Sequence, residues 1–515
     1  MGWHEQRSRD RVQKNDYSDF EVNVQDLSRS MDFHNLGTKD VRRAQGCHIY
    51  ADTPNFHAAV GDAGNDKQKQ RKLIRAASVL RRIQGELLAE DDIGDIQRQS
   101  VRLHALNYKP YNDQAKRAKG AVIFAITHNT YVYDVYNQVF ADVRDFESAV
   151  GIASGTSYIA NIGRRGNREL ISLGSCANLG AKVLGDGDTI TITKDVYDDL
   201  PHCLQEHFMR SRVIAKTQTY QSKGLRWSTY PDLATELGVS FDEERWRKKT
   251  EEARDALPLS EIEITEVMVL IDVDTLTERN NKRTSALPIY ADLDGFTRYV
   301  QEAEDDDAVV SLVRQFHMIR TELHTVFEDD YEGLVLQHQG DRIFGIVHMP
   351  CGNEKLSKRC QQATNVAIGL QSSMEHVLNE HLQDKKDIHL AVGIDLGKTL
   401  VSRLGKKGRR VVLCLGPNVT AAEQLQLQSG AQHIRISETV HGQLEDDDIK
   451  NQFKRDGDSY VAKKLTFPKL DEIKEENAAE AGTLGAAVER SRIQVTTAAT
   501  SSTRPWRNSK PWLSE

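Results

Sequence analysis

Cysteine is scarce: six stand among 515 residues (Cys47, Cys176, Cys203, Cys351, Cys360 and Cys414), with no Cys-x-x-Cys spacing anywhere. Neither a zinc site nor a disulfide framework is indicated, and reduced, buried thiols are expected. Long apolar runs are missing too. The longest, AVIFAI at 121–126 and VMVLI at 267–271, fall far short of the roughly 20 residues that a bilayer-crossing helix needs. The N-terminal stretch MGWHEQRSRDR has no apolar signal region and no Ser or Thr at position 6 for myristoylation, so a cytoplasmic protein without membrane contact is expected. A basic excess is also lacking: 68 Lys and Arg face 76 Asp and Glu, for a net charge of -8. A dedicated nucleic-acid binder, which must neutralise phosphates, is thereby excluded.

What is present is enough for two globular cores: 39% hydrophobic and 28% charged residues in a chain longer than one core usually supports. HIYADTPNFHAAV at 48–60 and PIYADLDGFTRYV at 288–300 are near twins, each an apolar strand ending in Ala-Asp. Further on, the segments starting at Val150 and Val392 align without a gap through GSCANLGAK and GPNVTAAEQ. The chain is therefore read as an internal repeat. The expected layout is a weakly patterned lead-in (1–40), domain 1 (41–230), a helical, charged connector (231–283) with an extra strand near EVMVLIDV, domain 2 (284–470), and a disordered Ala/Ser/Thr-rich tail (471–515). Each repeat reads β-α-β-β-α-β, the ferredoxin-like α+β order, with helices on one face of a mostly antiparallel sheet. In domain 1 the two middle strands are placed near SVRLHAL and AVIFAI, followed by a helix at 132–147; in domain 2 they are placed at GLVLQHQ and DRIFGIV.

Asp292 ends an apolar strand and Asp341 follows Gly340 at the start of another. In this fold order the two strands are neighbours, so both carboxylates reach one point. Hard oxygen donors of this sort suit Mg²⁺ or Mn²⁺ together with substrate phosphates, and the backbone carbonyl of Leu293 is a natural third ligand. Two aspartates that merely end surface strands are the competing reading.

YADLDGF, then GDRIFGIV, then VGIDLGK resembles the catalytic core of the class III nucleotidyl cyclases, the adenylate and guanylate cyclase family. The resemblance implies two such domains packed face to face, one bringing two metal-binding aspartates and the other an Asn and an Arg four residues apart on a helix. Asp292, Asp341 and Leu293 fit the metal half, with two divalent ions (Mn²⁺ or Mg²⁺) as cofactors. Domain 1 keeps Asp52 but shows no Gly-Asp after its second strand, where NYKPYNDQAKRAKG stands. Conversely, domain 1 supplies Asn178 and, in place of the family's Arg, Lys182, whereas domain 2 has Thr420 and Gln424 there. The losses are complementary. The resemblance thus implies an intramolecular pseudo-heterodimer with one competent site, Asn178 and Lys182 being its catalytic side chains.

Lys398 matches a phosphate-contacting Arg of the family, and Lys223 is a further phosphate candidate. The Lys/Asp or Glu/Cys pairs that read purines in the family fall near Leu103 and at Ile171 here, and neither pair is present. A purine would leave polar atoms unpaired. Tyr50 narrows the base pocket and offers a hydroxyl, with Arg102, His104 and Tyr290 as further candidates; core packing is the plain alternative for the tyrosines and the histidine. Lacking the purine pair, the chain is similar to the pyrimidine cyclases of the Pycsar anti-phage systems. The resemblance implies a nucleoside triphosphate substrate, UTP favoured, and a cyclic UMP product read by a separate effector. It leaves open an adenylate or guanylate cyclase, an inactive nucleotide-binding homologue, and pairing of the domains within one chain or between two.

Overall fold

The computed structural model describes every residue except 1, 16, 18–19, 28–32, 165–167, 304, 349–355, 383–387, 406–410 and 477–515. Cys351 and most of the expected tail lie outside the described residues; the other five cysteines are free thiols. Residues Met1–Phe467 form one compact unit that contains both repeats. A helix over 467–476 extends past the expected boundary at 471.

Each repeat builds a sheet around its Ala-Asp strand. In the first, the strands run in the order Gly94–Gln99, Arg102–Asn107, Asp40–Asp52, Ala149–Ile162, Thr189–Thr193, Thr217–Lys223 and Met209–Ile214. In the second, the order Leu334–Gln339, Arg342–Val347, Asn280–Asp294, His389–Ile394, His433–Ser437, Ser459–Lys463 and Lys454–Asp456 repeats it strand for strand. Pairing along these strands is antiparallel except between the fourth and fifth of each sheet, and a short outlying strand, Asn23–Asp26 or Glu263–Glu266, adds a second parallel pair beside each Ala-Asp strand. Helices Lys67–Glu90 and Gln114–Thr130 cover one face of the first sheet, and Asp306–Thr325 and Leu356–Ser373 are their counterparts on the second. The expected α+β repeat is what folds.

Two local expectations fail in domain 1. AVIFAI is not a strand: it is the buried middle of the Gln114–Thr130 helix, which starts where the Asp113 carboxylate accepts from Lys116 N. A short apolar run buried on every side has no period that separates strand from helix, and here the N-cap and the length decide. The missing strand is Gly94–Gln99, too polar in sequence to stand out. The hairpin turn of domain 1 is therefore Ser100-Val101, at the register of Gly340-Asp341, and not NYKPYNDQAKRAKG. Ser100 and Gly340 both adopt positive φ, 55° and 69°. The extra connector strand is Glu263–Glu266, which shares only Glu266 with EVMVLIDV, and the lead-in contains a regular helix, Glu5–Lys14.

The halves interlock. Leu400, Leu404, Leu413 and Leu415, on the Gly397–Leu404/Val411–Leu415 hairpin of the second repeat, join the core cluster of the first. In return, the Asp306–Thr325 helix packs against the Ala149–Ile162 strand, where Tyr158 Oη donates to Asp306 at 3.1 Å.

Candidate active site

Asp292 lies opposite Arg342 in the ladder between Asn280–Asp294 and Arg342–Val347, so Asp341, one residue earlier, is its neighbour across the strand end. Burial raises the proton affinity of both carboxyls; the charge of Asp292 raises that of Asp341 further, while Arg342 opposes the shift at each. Two acids held together in this way favour a cation between them. Arg342 does not fill that place, since its Nε stays 3.7 Å from Asp292 and its Nη1 donates to Glu423 at 2.8 Å. Among the described residues no cluster of three or more His, Cys, Asp or Glu forms a ready cation cage. The fit to a divalent ion therefore rests on two hard carboxylates and the backbone carbonyl of Leu293, whose side chain is buried.

After Asp294, Gly295 (φ 91°) turns the chain into the helix Phe296–Glu302. That helix packs against Ser175–Lys182 of the first repeat. On the Ser175–Lys182 helix Asn178 is half-buried and Lys182 exposed, and neither side chain has a hydrogen-bond partner among the described residues. The Ser175–Lys182 helix sits low on its own sheet because Gly151 lets it: a Cβ there would collide with Gly180 O. Gly180 in turn lies over the ring of Tyr50. Tyr50 stacks on His104 with centroids 4.1 Å apart, and His104 Nε2 meets His48 Nδ1 at 3.0 Å. Tyr50 belongs to the first repeat yet feels the charge of Asp341 in the second, while burial pushes its hydroxyl pKa up.

The pseudo-symmetric half-site has different partners. Asp52 is held by Arg102 at 2.5 and 3.0 Å, Val101 replaces the second aspartate, and His57 Nδ1 reaches Thr420 Oγ1 at 3.3 Å and its Nε2 lies 3.7 Å from Glu423. Asp52 and Arg102 thus form an ion pair of their own.

Four further expectations need correction. Leu103 is fully buried in the core of the first repeat, since its strand turns that face to the helices, and it cannot read a base. Ile171 is buried as well. Tyr290 stacks on Phe344 at 4.4 Å inside a core cluster and is a packing residue. Lys398 lies opposite Ser285, seven residues along the strand from Asp292 and so roughly 20 Å away, with its amine 3.4 Å from Glu266. Lys223 is exposed at the end of a strand three places from Asp40–Asp52 in the sheet. His104 is part of the stack on Tyr50, a relation that the period-two alternation of neighbouring strands implies but does not locate.

Residues 281–469 match the family model described as the adenylate and guanylate cyclase catalytic domain, and the chain carries a class III cyclase domain. Over 463 residues it is 27% identical to a uridylate cyclase of Pseudomonas aeruginosa, covering 85% of each chain. It is 25% identical over 413 residues to a uridylate cyclase of a Rhizobium species, covering 74% of this chain and 75% of that one. The fold is that of a crystallised class III adenylyl cyclase-like ATP-binding protein from Pseudomonas aeruginosa, with a TM-score of 0.75, 24% identity, and 91% and 98% of the two chains covered. Among the described residues no helix is long and apolar enough to cross a membrane.

Proposed function

We propose that this chain cyclises a pyrimidine nucleoside triphosphate, UTP by preference, to the 3′,5′-cyclic monophosphate with release of pyrophosphate. The observation that carries the reading is the complementary asymmetry: Asp292 and Asp341 stand in one half, Asn178 and Lys182 in the other, and the mirror-related half-site lacks its second acid. The ribose 3′-oxygen forms a bond to the α-phosphorus as the bond from that phosphorus to the bridging oxygen of pyrophosphate breaks, and the hydroxyl proton passes to solvent. Asp292, Asp341 and the Leu293 carbonyl would hold divalent metal. Bound there, Mg²⁺ or Mn²⁺ supplies charge neutralisation on the phosphates and acidifies the 3′-hydroxyl. Lys182 meets the charge that grows on the α-phosphate oxygens, and Asn178 orients the ribose.

The pyrimidine preference is supported by the uridylate cyclase relatives and by the absence of a purine-reading pair. In this reading the cyclic nucleotide acts as a second messenger in anti-phage defence and is read by a separate effector. The test is incubation of the purified chain with Mn²⁺ and each of ATP, GTP, CTP and UTP in turn, with products identified by mass spectrometry. Cyclic UMP as the main product is expected. Cyclic AMP or cyclic GMP keeps the chemistry and overturns the base preference, and nucleotide binding without any product makes the chain an inactive homologue.

A further inference from the structure

Each Ala-Asp strand has an arginine beside its aspartate on the neighbouring strand. Arg342 is the ladder partner of Asp292. In the first repeat Ala51 pairs with Leu103, which sets Arg102 beside Asp52 in the same register. The two arginines go to different acids. Arg102 closes on its own aspartate through Nε and Nη2, at 3.0 and 2.5 Å. Arg342 stops with Nε 3.7 Å from Asp292, and its Nη1 donates to Glu423 Oε1 at 2.8 Å. Its guanidinium carbon stands over the Tyr290 ring, 5.7 Å from the centre.

Glu423 is what differs between the halves. It stands on the helix Pro417–Leu427, which packs against the Asn280–Asp294 strand. That helix lies low on its sheet because Gly393, the ladder partner of Tyr290, has no Cβ; one there would collide with Ala422 O. In the gapless alignment of the segments from Val150 and Val392, the first repeat has Ala181 in the place of Glu423. The helix over the first sheet therefore offers Arg102 no carboxylate at that position to compete with Asp52. Arg102 feels the charge of Glu423 from the other repeat, yet its Nε and Nη2 donate to Asp52. The second oxygen of Glu423, Oε2, lies 3.7 Å from His57 Nε2.

Arg342 needs to move only about 1 Å to donate to Asp292. A guanidinium there would offset the charge of Asp292 and cover an oxygen that a divalent ion needs. We propose that Glu423 is a positioning residue for the acidic pair: by holding the Arg342 guanidinium, it keeps Asp292 open to a divalent cation. The inference rests on the metal role given to Asp292 and Asp341 in the cyclase reading above. One cross-strand arginine thus serves two ends in one chain. Beside Asp52 it neutralises the acid; held by Glu423 it leaves Asp292 its charge.

The experiment titrates the full chain with Mn²⁺ alone and reads free Mn²⁺ by electron paramagnetic resonance. The proteins are the wild type, Asp292→Ala, Glu423→Gln, Glu423→Ala, Arg342→Ala and the double variant Glu423→Ala/Arg342→Ala, with thermal melts to show that each folds. Glu423→Gln, which keeps size and loses charge, and Glu423→Ala should each weaken Mn²⁺ binding about 10-fold or more, because a guanidinium released onto a carboxylate competes with the ion. In the Arg342→Ala background the same Glu423 change should have no more than a few-fold effect. Glu423→Gln/Arg342→Gln replaces the alanine pair if that pair does not fold. An equal loss in both backgrounds would mean that Glu423 acts on the ion without Arg342, and would overturn the proposal. So would folded Glu423 variants that bind as the wild type does. Either result leaves the cyclase reading intact. Mn²⁺ binding that Asp292→Ala does not change, or no binding in the wild type, overturns the metal role and the proposal with it.

Discussion

Asp52 and Asp292 occupy the same place in the two repeats, and only their neighbours separate them. Asp52 is paired with Arg102 and faces Val101 at the hairpin turn; Asp292 is adjacent to Asp341, and Arg342 is drawn off toward Glu423. Asp292→Ala should therefore lower kcat/KM about a thousandfold, the scale of losing a preorganised charge contact to the transition state. Asp52→Ala should change it no more than a few-fold; steady-state kinetics showing equal losses would contradict the one-site arrangement. Lys182, exposed and unpaired among the described residues, should act mainly on the reacting charge. Lys182→Ala is expected to lower kcat about 100-fold with KM little changed, and Lys182→Arg to hold or raise it, because the fork matches phosphate oxygens in two places. An alanine variant with normal kcat would return Lys182 to an ordinary surface role.

At the scale of elements, two helices carry more than their sequences announce. The Glu5–Lys14 helix belongs to a segment expected only as a lead-in, yet Arg11 binds both Glu322, at 2.6 and 3.0 Å, and Asp330, at 3.0 and 3.1 Å. Both acids are nearly fully buried, at 3% and 4% exposure, and Asp330 keeps a second cation in Arg7 at 2.9 Å, so removing Arg11 strands the charge of Glu322 in low dielectric. Arg11→Ala should cost about 3 kcal/mol in denaturant unfolding. Adding Glu322→Gln should recover part of that, and simple additivity of the two would show that the pair is not coupled. The Gln114–Thr130 helix, whose AVIFAI run reads as a strand from sequence, buries His128 between Gln84 and the Ser148 hydroxyl, both at 3.0 Å. Burial lowers its pKa from 6.5 to about 4. Below pH 6.5 the unfolded chain binds a proton that the folded chain refuses, so this contribution is complete above 6.5 and is lost as pH falls toward 4. Between pH 7.5 and pH 5 the wild type should lose about 2 kcal/mol more than His128→Gln. Parallel pH profiles of the two in urea titrations would rule this out.

Over the whole molecule, the interlocked hairpin decides how the halves meet. Four leucines of the second repeat sit in the core of the first, each worth about 2 kcal/mol on burial. That is more than weak docking supplies, and in this structure both sides of the contact belong to one chain. Mixing purified Asp292→Ala with purified Lys182→Ala should therefore yield no more activity than the sum of the two alone. Recovery of a substantial fraction of wild-type turnover would mean that the halves exchange between chains.

The repeat, its α+β order and the complementary losses were legible because they reside in local strings: Ala-Asp at a strand end, Gly-Asp at a turn, Asn and Lys one helical turn apart. Periodicity is a property of the nearest few residues, and these strings carry it. What tertiary structure decided is whatever depends on which face a strand turns inward and what crosses from the other half. A polar strand at Gly94–Gln99 moved the register, buried Leu103 and set Gln97 against His338. Lys398 matched a motif yet lies seven residues away along the strand. The string determines which chemistry is available; only the packing of one repeat on the other determines which side chains share a cavity, because that choice is made by contacts between residues hundreds of positions apart.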